Sequence, residues 1–447
     1  MRIHPEIQAA VGAIRVVDTH EHLEEESVRL ARESLDFVSL FDGYASHDLI
    51  SAGMPVADWQ RCTRADAPLD EKWKLLEPHY RAARNTAYIR AVDIAIRDLY
   101  GIETLGGDSV GTLTQRMRER NQPGVLSWIL RERSGIEVAQ INTIAPEAGE
   151  LIPPFFRDPC DPDLFLQDIG VAPLLSWPPP IQALERDTGV SITRFEHYEQ
   201  AIEKLFELRG PLADAIKQQS AYWRVQSFDD VPAEDAERVF DRAHREPDRV
   251  TPAEQKTLQD WAFHRCIRLA IEHDLPIKIH TGYKAGFNFM DVRHIQPTSL
   301  TNLFVQYPEA RFDLFHIGYP YQEEVLALAK HFANVYVDMC WAWIIDPRAS
   351  LRFLEQFVTA VPSNKLFAFG GDYVVAEPVY GHLRIARDGI ARALSELVDE
   401  DYLTTPEALA IARRILRENA LDVFRVEEKR ARVREEAATL RPQAPRS

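Results

Sequence analysis

Short runs rich in β-branched and aromatic residues alternate along the chain with longer stretches whose apolar positions recur every three to four residues. This alternation predicts a parallel sheet joined by crossover helices. The strand-like runs are IRVVDTH (14–20), IEVAQIN (136–142), VAPLLSW (171–177), AIKQQSAY (215–222), LPIKIH (275–280), RFDLFH (311–316), NVYVDM (334–339) and KLFAFGGD (365–372). Eight parallel strands with helical connections close most simply into a ring, so the expected fold class is α/β, a (β/α)8 barrel of TIM type. Charged, helix-compatible sequence over about 24–120 and 193–274 predicts helical insertions around that barrel, and their spacing does not repeat as a solenoid would. The prolines of SWPPPIQ (176–182) demand a loop because they remove backbone donors. The expected barrel unit spans 1–426 and closes on the helix-like segment 413–426, leaving 427–447 as a charged, solvated tail.

Period-two patterning also places chemistry. In a regular strand Asp18, His20 and His22 share one face and Val17, Thr19 and Glu21 the other. Two strand residues span roughly 6–7 Å, close enough for both imidazoles to meet one ion. Alone, H-x-H also fits a surface pair or a strand end of no consequence. Other strand ends add to it: LPIKIH ends at His280 with Lys278 on the same face, RFDLFH ends at His316, and KLFAFGGD ends at Asp372. Residues at the C-terminal strand ends of a parallel barrel meet in one pocket. Imidazole and carboxylate together suit Zn²⁺, Mn²⁺ or Fe²⁺.

Composition narrows the partners. Acidic residues outnumber basic ones 69 to 52, giving a formal net charge of -17 that repels phosphate backbones and anionic lipids. A small molecule is the expected partner, with nucleic acid and membrane excluded. The four cysteines (Cys62, Cys160, Cys266, Cys340) lie far apart with no C-x-x-C pair, which fits a reducing compartment and argues against a disulfide framework. With no 20-residue apolar run and polar residues early in the N-terminus, a cytoplasmic location is expected.

The pattern formed by DTHEH, AIKQQSAYWR, LPIKIHTGY, LFHIGYPYQEE, NVYVDM, NKLFAFGGD and ILRENALDVF resembles the amidohydrolase superfamily. Within it the chain is most similar to the amidohydrolase_2 branch and its nodulin-related, glutamine-synthetase-associated members, with more distant similarity to uronate isomerases. The resemblance implies His20, His22, His280 and Asp372 as ligands of one divalent transition metal, with Zn²⁺ the first expectation. It implies His316 beside the metal as a proton shuttle, with Asp372 as proton acceptor. Some members of the superfamily bridge a second metal through a carboxylated lysine, a role that Lys217 would fill; the single-metal reading is preferred here. Assembly into a homo-oligomer is expected by the same analogy.

Around this centre, Arg224 and Tyr222 are candidate holders of a substrate carboxylate, and Tyr283 and Lys217 candidate pocket residues. Trp341 and Trp343 either wall the barrel mouth or belong to the core, and Glu21 and Glu24 to Glu26 are read as lying outside the site. The expected function is hydrolysis of an amide, lactone or related bond in a small polar, carboxylate-bearing molecule through a metal-activated water. The alternatives are a metal-dependent decarboxylase, a uronate-isomerase-like sugar isomerase, and a non-catalytic binding module with a structural metal. Nodulin-type relatives carry Gly-Asp shortly after HTG and Pro-Glu after the last-strand aspartate. This chain has HTGYKAG and Glu377-Pro378, so substrate identity stays open.

Overall fold

The apolar runs become strands buried on both faces, as parallel strands covered by helices require. The computed structural model describes residues 3–32, 35–142 and 161–440; Cys160 lies outside them. The strands are β1 (Val16–Glu21), β2 (Ile136–Ile141), β3 (Phe165–Gln167), β4 (Ile169–Gly170), β5 (Ile216–Gln218), β6 (Ile277–Ile279), β7 (Phe312–Leu314), β8 (Val335–Asp338) and β9 (Leu366–Phe367). All pair in parallel, in the orders β1-β2-β3 and β4-β5-β6-β7-β8-β9. Only Asp168 separates β3 from β4, so the two are halves of one interrupted strand. The segment after β9 returns to β1 through Thr19 N to Phe369 O (3.2 Å), Asp372 N to His20 O (2.8 Å) and His22 N to Tyr373 O (3.0 Å). Eight strand positions thus run around one ring, the TIM-type α/β architecture expected from the sequence.

One expected strand is displaced. VAPLLSW holds a 3-10 turn at Ala172–Leu175, and the strand lies just upstream in FLQ and IG. Pro173, which lacks an amide donor, sits where the ladder would have needed one.

The helical reading of 24–120 is matched by a run of helices that includes Tyr44–Ser51, Leu69–Ala83, Ala87–Tyr100 and Val110–Arg120, with its own buried cluster around Phe37, Phe41, Trp73, Leu76 and Leu113. Ala87–Tyr100 packs against the long helix Ala376–Asp399 that follows the last strand. At one end of the ring, Val17, Val138, Leu166, Ala215 and Phe367 from five strand positions close against Phe424 and Val426. The charged tail is not simply solvated. Val426–Leu440 is a helix that buries Val426 and Val433, donates from Lys429 Nζ to Gly210 O (3.0 Å) and pairs Arg430 with Asp163 (3.0 Å). Heptad-spaced valines on a charged segment were enough to dock it. Residues 441–447 lie outside the described residues. Among the described residues, no helix is long and apolar enough to cross a membrane.

The contact between Ala87–Tyr100 and Ala376–Asp399 depends on Gly381, where an added Cβ would fall 1.9 Å from Ala91 O. Gly381→Ala is expected to destabilise the protein by about 1–3 kcal/mol through overpacking. Gly111→Ala, on a helix with nothing within 4 Å of the added methyl, should leave stability unchanged or raise it. Thermal denaturation of both variants checks the contrast.

Candidate active site

β1 does not run as a regular strand to its end. Its pairing with β2 slips between Asp18 and Glu21, and the two histidines converge there. His20 Nε2 and His22 Nε2 stand 3.2 Å apart, and each lies 3.3 and 3.2 Å, respectively, from Asp372 Oδ1. The donor atoms form a nearly equilateral triangle. A tetrahedral ion with ligand bonds of about 2.0 Å has ligand–ligand edges of about 3.3 Å, so these three atoms fit three corners of such a shell. The outer nitrogens agree with this. His22 Nδ1 donates to the Asn142 carbonyl, and His20 Nδ1 faces Asp168 Oδ2 at 3.7 Å, which turns the Nε2 lone pairs toward the triangle. Lone pairs and a carboxylate gathered without a proton donor among them repel, and a divalent cation resolves that repulsion. The residues present therefore fit the metal that the sequence pattern implies.

Asp372 reaches this place on strained backbone. Its φ is 64°, and His316, Ile317 and Trp341, also at strand ends, share the left-handed region. Asp18 Oδ1 accepts from Gly371 N (3.1 Å) and His20 N (3.2 Å), while Glu21 Oε2 accepts from Tyr373 N (2.7 Å). Glu21, expected on the outer face, is fully buried, because the slip in β1 turns it into the turn that carries Asp372. A Cβ on Gly371 would fall 1.8 Å from Glu21 Oε1, so only glycine fits beside it. Burial by itself would raise the Asp372 carboxyl; its contact with His22, together with His316 and Lys217, holds it well below the usual carboxylate range.

His280 and His316 lie beside the triangle rather than within it. His316 Nε2 faces His280 Nδ1 at 3.1 Å, and their other nitrogens bond to the carbonyls of Cys340 (2.8 Å) and Tyr283 (2.9 Å). His316, Cys340 and Asp372 offer donor atoms that lie within 4.8 Å of one another, so Asp372 is common to both groups. Lys217 is buried, its Nζ 3.4 Å above the Phe315 ring without a hydrogen-bond acceptor, and burial lowers its pKa to about 8. Lys278 donates to Asp168 Oδ1 (2.8 Å), and Asp168 in turn faces His20.

A cavity of about 350 Å³ opens onto His22, His280 and Asp372. Tyr222 lines it, with its ring 4.9 Å from His280 and its hydroxyl accepting from Ala285 N (3.0 Å). Tyr283 instead lines the adjoining cavities of about 460 and 900 Å³. Arg224, expected to clamp a substrate carboxylate, is turned away. The 3-10 turn Ser220–Tyr222 aims it at Asp260, Gln259 (3.0 Å) and Ser227 O (2.8 Å) on the opposite side of its loop. Both tryptophans are buried, and Trp341 stacks on Tyr44 at 4.4 Å and meets His316 edge-on at 5.2 Å.

Two pocket residues escaped sequence reasoning, Tyr44 and His47 of the helix Tyr44–Ser51. Tyr44 donates to Asp372 Oδ2 and lies 2.6 Å from Asp372 O; its hydroxyl, buried and next to that carboxylate, is held protonated far above its ordinary range. His47 Nδ1 accepts from Gly286 N (3.2 Å). Nothing local marks either residue, because each reaches the pocket from an insertion more than 300 and 200 residues, respectively, from its partner.

Residues 213–426 match the model of the amidohydrolase family, Amidohydro_2. Protein fluG of Emericella nidulans is 28% identical over 211 residues, covering 46% of this chain and 24% of that protein, so the chain spans about a quarter of that curated relative's length. Among solved structures, glucuronate isomerase from Caulobacter crescentus superposes with a TM-score of 0.77 at 15% identity, covering 94% of this chain and 93% of that one. Uronate isomerase from Thermotoga maritima gives 0.75 at 13%, covering 94% and 96%. A putative metal-dependent hydrolase from Lactobacillus casei gives 0.66 at 16%, covering 95% and 98%. These likenesses establish the fold.

His20→Ala and His22→Ala are each expected to abolish tight divalent-metal binding. Gly371→Ala, which removes no ligand, should weaken it about 10–100-fold by displacing Asp372. Elemental analysis of dialysed protein and zinc titration measure both effects.

Proposed function

We propose that this chain, whose residues 213–426 match the model of the amidohydrolase family, is a metal-dependent enzyme that hydrolyses an amide, lactone or related acyl bond of a small molecule. The observation that carries this reading is the triangle of His20, His22 and Asp372 facing a cavity, three corners of a shell whose remaining position is open to water and substrate. Zn²⁺ is the ion proposed, since the triangle's edges match a tetrahedral site, with Mn²⁺ and Fe²⁺ as alternatives. A divalent cation held there supplies a Lewis acid that polarises a carbonyl oxygen and makes water acidic near neutral pH.

The chain's own groups then divide the proton traffic. Asp372 is ionised and accepts the proton of the attacking water while the water oxygen bonds to the acyl carbon. Tyr44, donating to Asp372 Oδ2, fixes the carboxylate's orientation so that Oδ1 stays on the triangle. His280 lines the cavity with His316 behind it, and burial holds both imidazoles neutral, so the proton that Asp372 takes from the water is the one it returns to the leaving nitrogen or oxygen as the bond to the acyl carbon breaks.

A second reading, aldose–ketose isomerisation, has one observation in its favour. A phenol and a carboxylate in contact, Tyr44 and Asp372, are suited to remove a proton beside a carbonyl and return it to the neighbouring carbon.

Chelated protein reloaded with Zn²⁺, Mn²⁺ or Fe²⁺ and offered amides, lactones and esters should show hydrolysis that depends on the metal. Asp372→Asn should lose about 10²–10⁴ in kcat, and Tyr44→Phe should lower kcat with little change in KM. The hydrolytic reading is wrong if the loaded protein instead interconverts uronic acids, releases carbon dioxide from aromatic acids, or binds metal without any turnover.

A further inference from the structure

Among the described residues, no lysine or arginine lines the cavity beside the triangle. Arg224 is paired with Asp260, and Lys217, its Nζ over the Phe315 ring, does not line this cavity. Lys284, which lines the adjoining cavity, places its Nζ 3.4 Å from Ala221 O. His47 and Gln219, polar residues of the metal cavity's lining, carry no fixed charge, and burial depresses the His47 pKa. The remaining wall is chiefly aromatic, and its polar tips are mostly engaged or, for the Tyr373 hydroxyl, buried. The Tyr44 hydroxyl is on Asp372, the Tyr222 hydroxyl on Ala285 N, and Trp223 Nε1 donates to Leu175 O (2.8 Å). What Tyr44 and Trp223 have left to offer a ligand is ring surface, and Tyr222 adds ring surface and one hydroxyl proton.

The mouth continues the same chemistry. Of the eleven large hydrophobic side chains exposed among the described residues, six lie on the two loops that frame this cavity: Trp223 and Val225 after β5, and Phe287, Phe289, Met290 and Val292 after β6. Trp223 is 45% exposed and Phe289 48%. Apolar surface left in water and concentrated at one opening marks a binding site, because burying it is favourable only when something apolar arrives.

We infer that the substrate's body, the part beyond the group that reacts at the triangle, is an uncharged aromatic ring held between Tyr44 on one side and Tyr222 and Trp223 on the other. The inference rests on the metal-site reading above and narrows it. Among the described residues the wall offers ring faces to a flat apolar body and no cation for the distal carboxylate of a sugar acid. It therefore also weighs against the isomerase reading.

Hydroxamates test it, since they chelate a divalent ion through one end whatever body they carry. Calorimetric titration of the zinc-loaded, full-length protein with benzohydroxamate should give an affinity at least about tenfold above that for acetohydroxamate, from the added apolar burial. The 4-carboxy derivative of benzohydroxamate should lose most of that advantage. Trp223→Ala and Phe289→Ala, both at exposed positions, should each lower the ratio of benzohydroxamate to acetohydroxamate affinity. Equal affinities for the two parent hydroxamates, tightest binding by the carboxylated compound, or a preference untouched by both variants would overturn the inference. If neither hydroxamate distinguishes zinc-loaded from zinc-free protein, the metal reading itself fails and takes this inference with it, a result recognisable by its indifference to the ligand's body.

Discussion

The structure turns on the return of the last strand segment to the first. Asp372 N bonds to His20 O, and the amides on either side, Gly371 and Tyr373, bond to the carboxylates of Asp18 and Glu21. These contacts close the ring, and they also set the distance from Asp372 to the two imidazoles. Ring closure and assembly of the ligand triangle are thus one event, reached only when residues some 350 positions apart have met. The left-handed backbone at Asp372 is tolerated because three hydrogen bonds from β1 over-determine it.

Charge inside the ring is the cost of that arrangement. Burial pushes the Asp18 and Asp214 carboxyls up to about 7 and Asp338 up to about 6. Lys278 offsets part of it by donating to Asp168, which faces His20 Nδ1, so a buried cation stands two contacts behind a candidate ligand. Leaving one member of such a buried pair without its partner costs about 3–5 kcal/mol, which makes a lysine inside the barrel a requirement of the chosen acids rather than a decoration. The same logic fastens the insertion: Arg29 pairs with buried Glu377 (2.7 Å), which also accepts from Tyr100 (2.7 Å), tying the first helices to the helix after the last strand.

Labour is divided between scaffold and additions. Barrel strands carry the groups suited to hold an ion and move protons. The insertion supplies Tyr44 and His47, and the loops after β5 and β6 supply the aromatic rim. Rigid strand ends suit a coordination shell with tolerances of tenths of an ångström, whereas loops can be rebuilt for a new substrate without disturbing it.

What the sequence determined by itself was periodic and local: β-branched runs of period two, helical insertions of period 3.6, and histidines or an aspartate at the ends of strands that a parallel barrel must point into one pocket. Those patterns were enough for the architecture and for bringing His20, His22, His280, His316 and Asp372 to one end of it, because strand direction and strand-end position are properties of the segment. Tertiary structure decided what depends on partners remote in sequence. The slip in β1 turned Glu21 inward to brace Asp372. The turn after β5 gave Arg224 to Asp260 instead of to the cavity, and Pro173 moved a strand upstream. Docking of the insertion delivered Tyr44 to the Asp372 carboxylate. No single segment encodes these outcomes, since each is fixed by which competing acceptor, donor or apolar face comes within reach once the ring has closed.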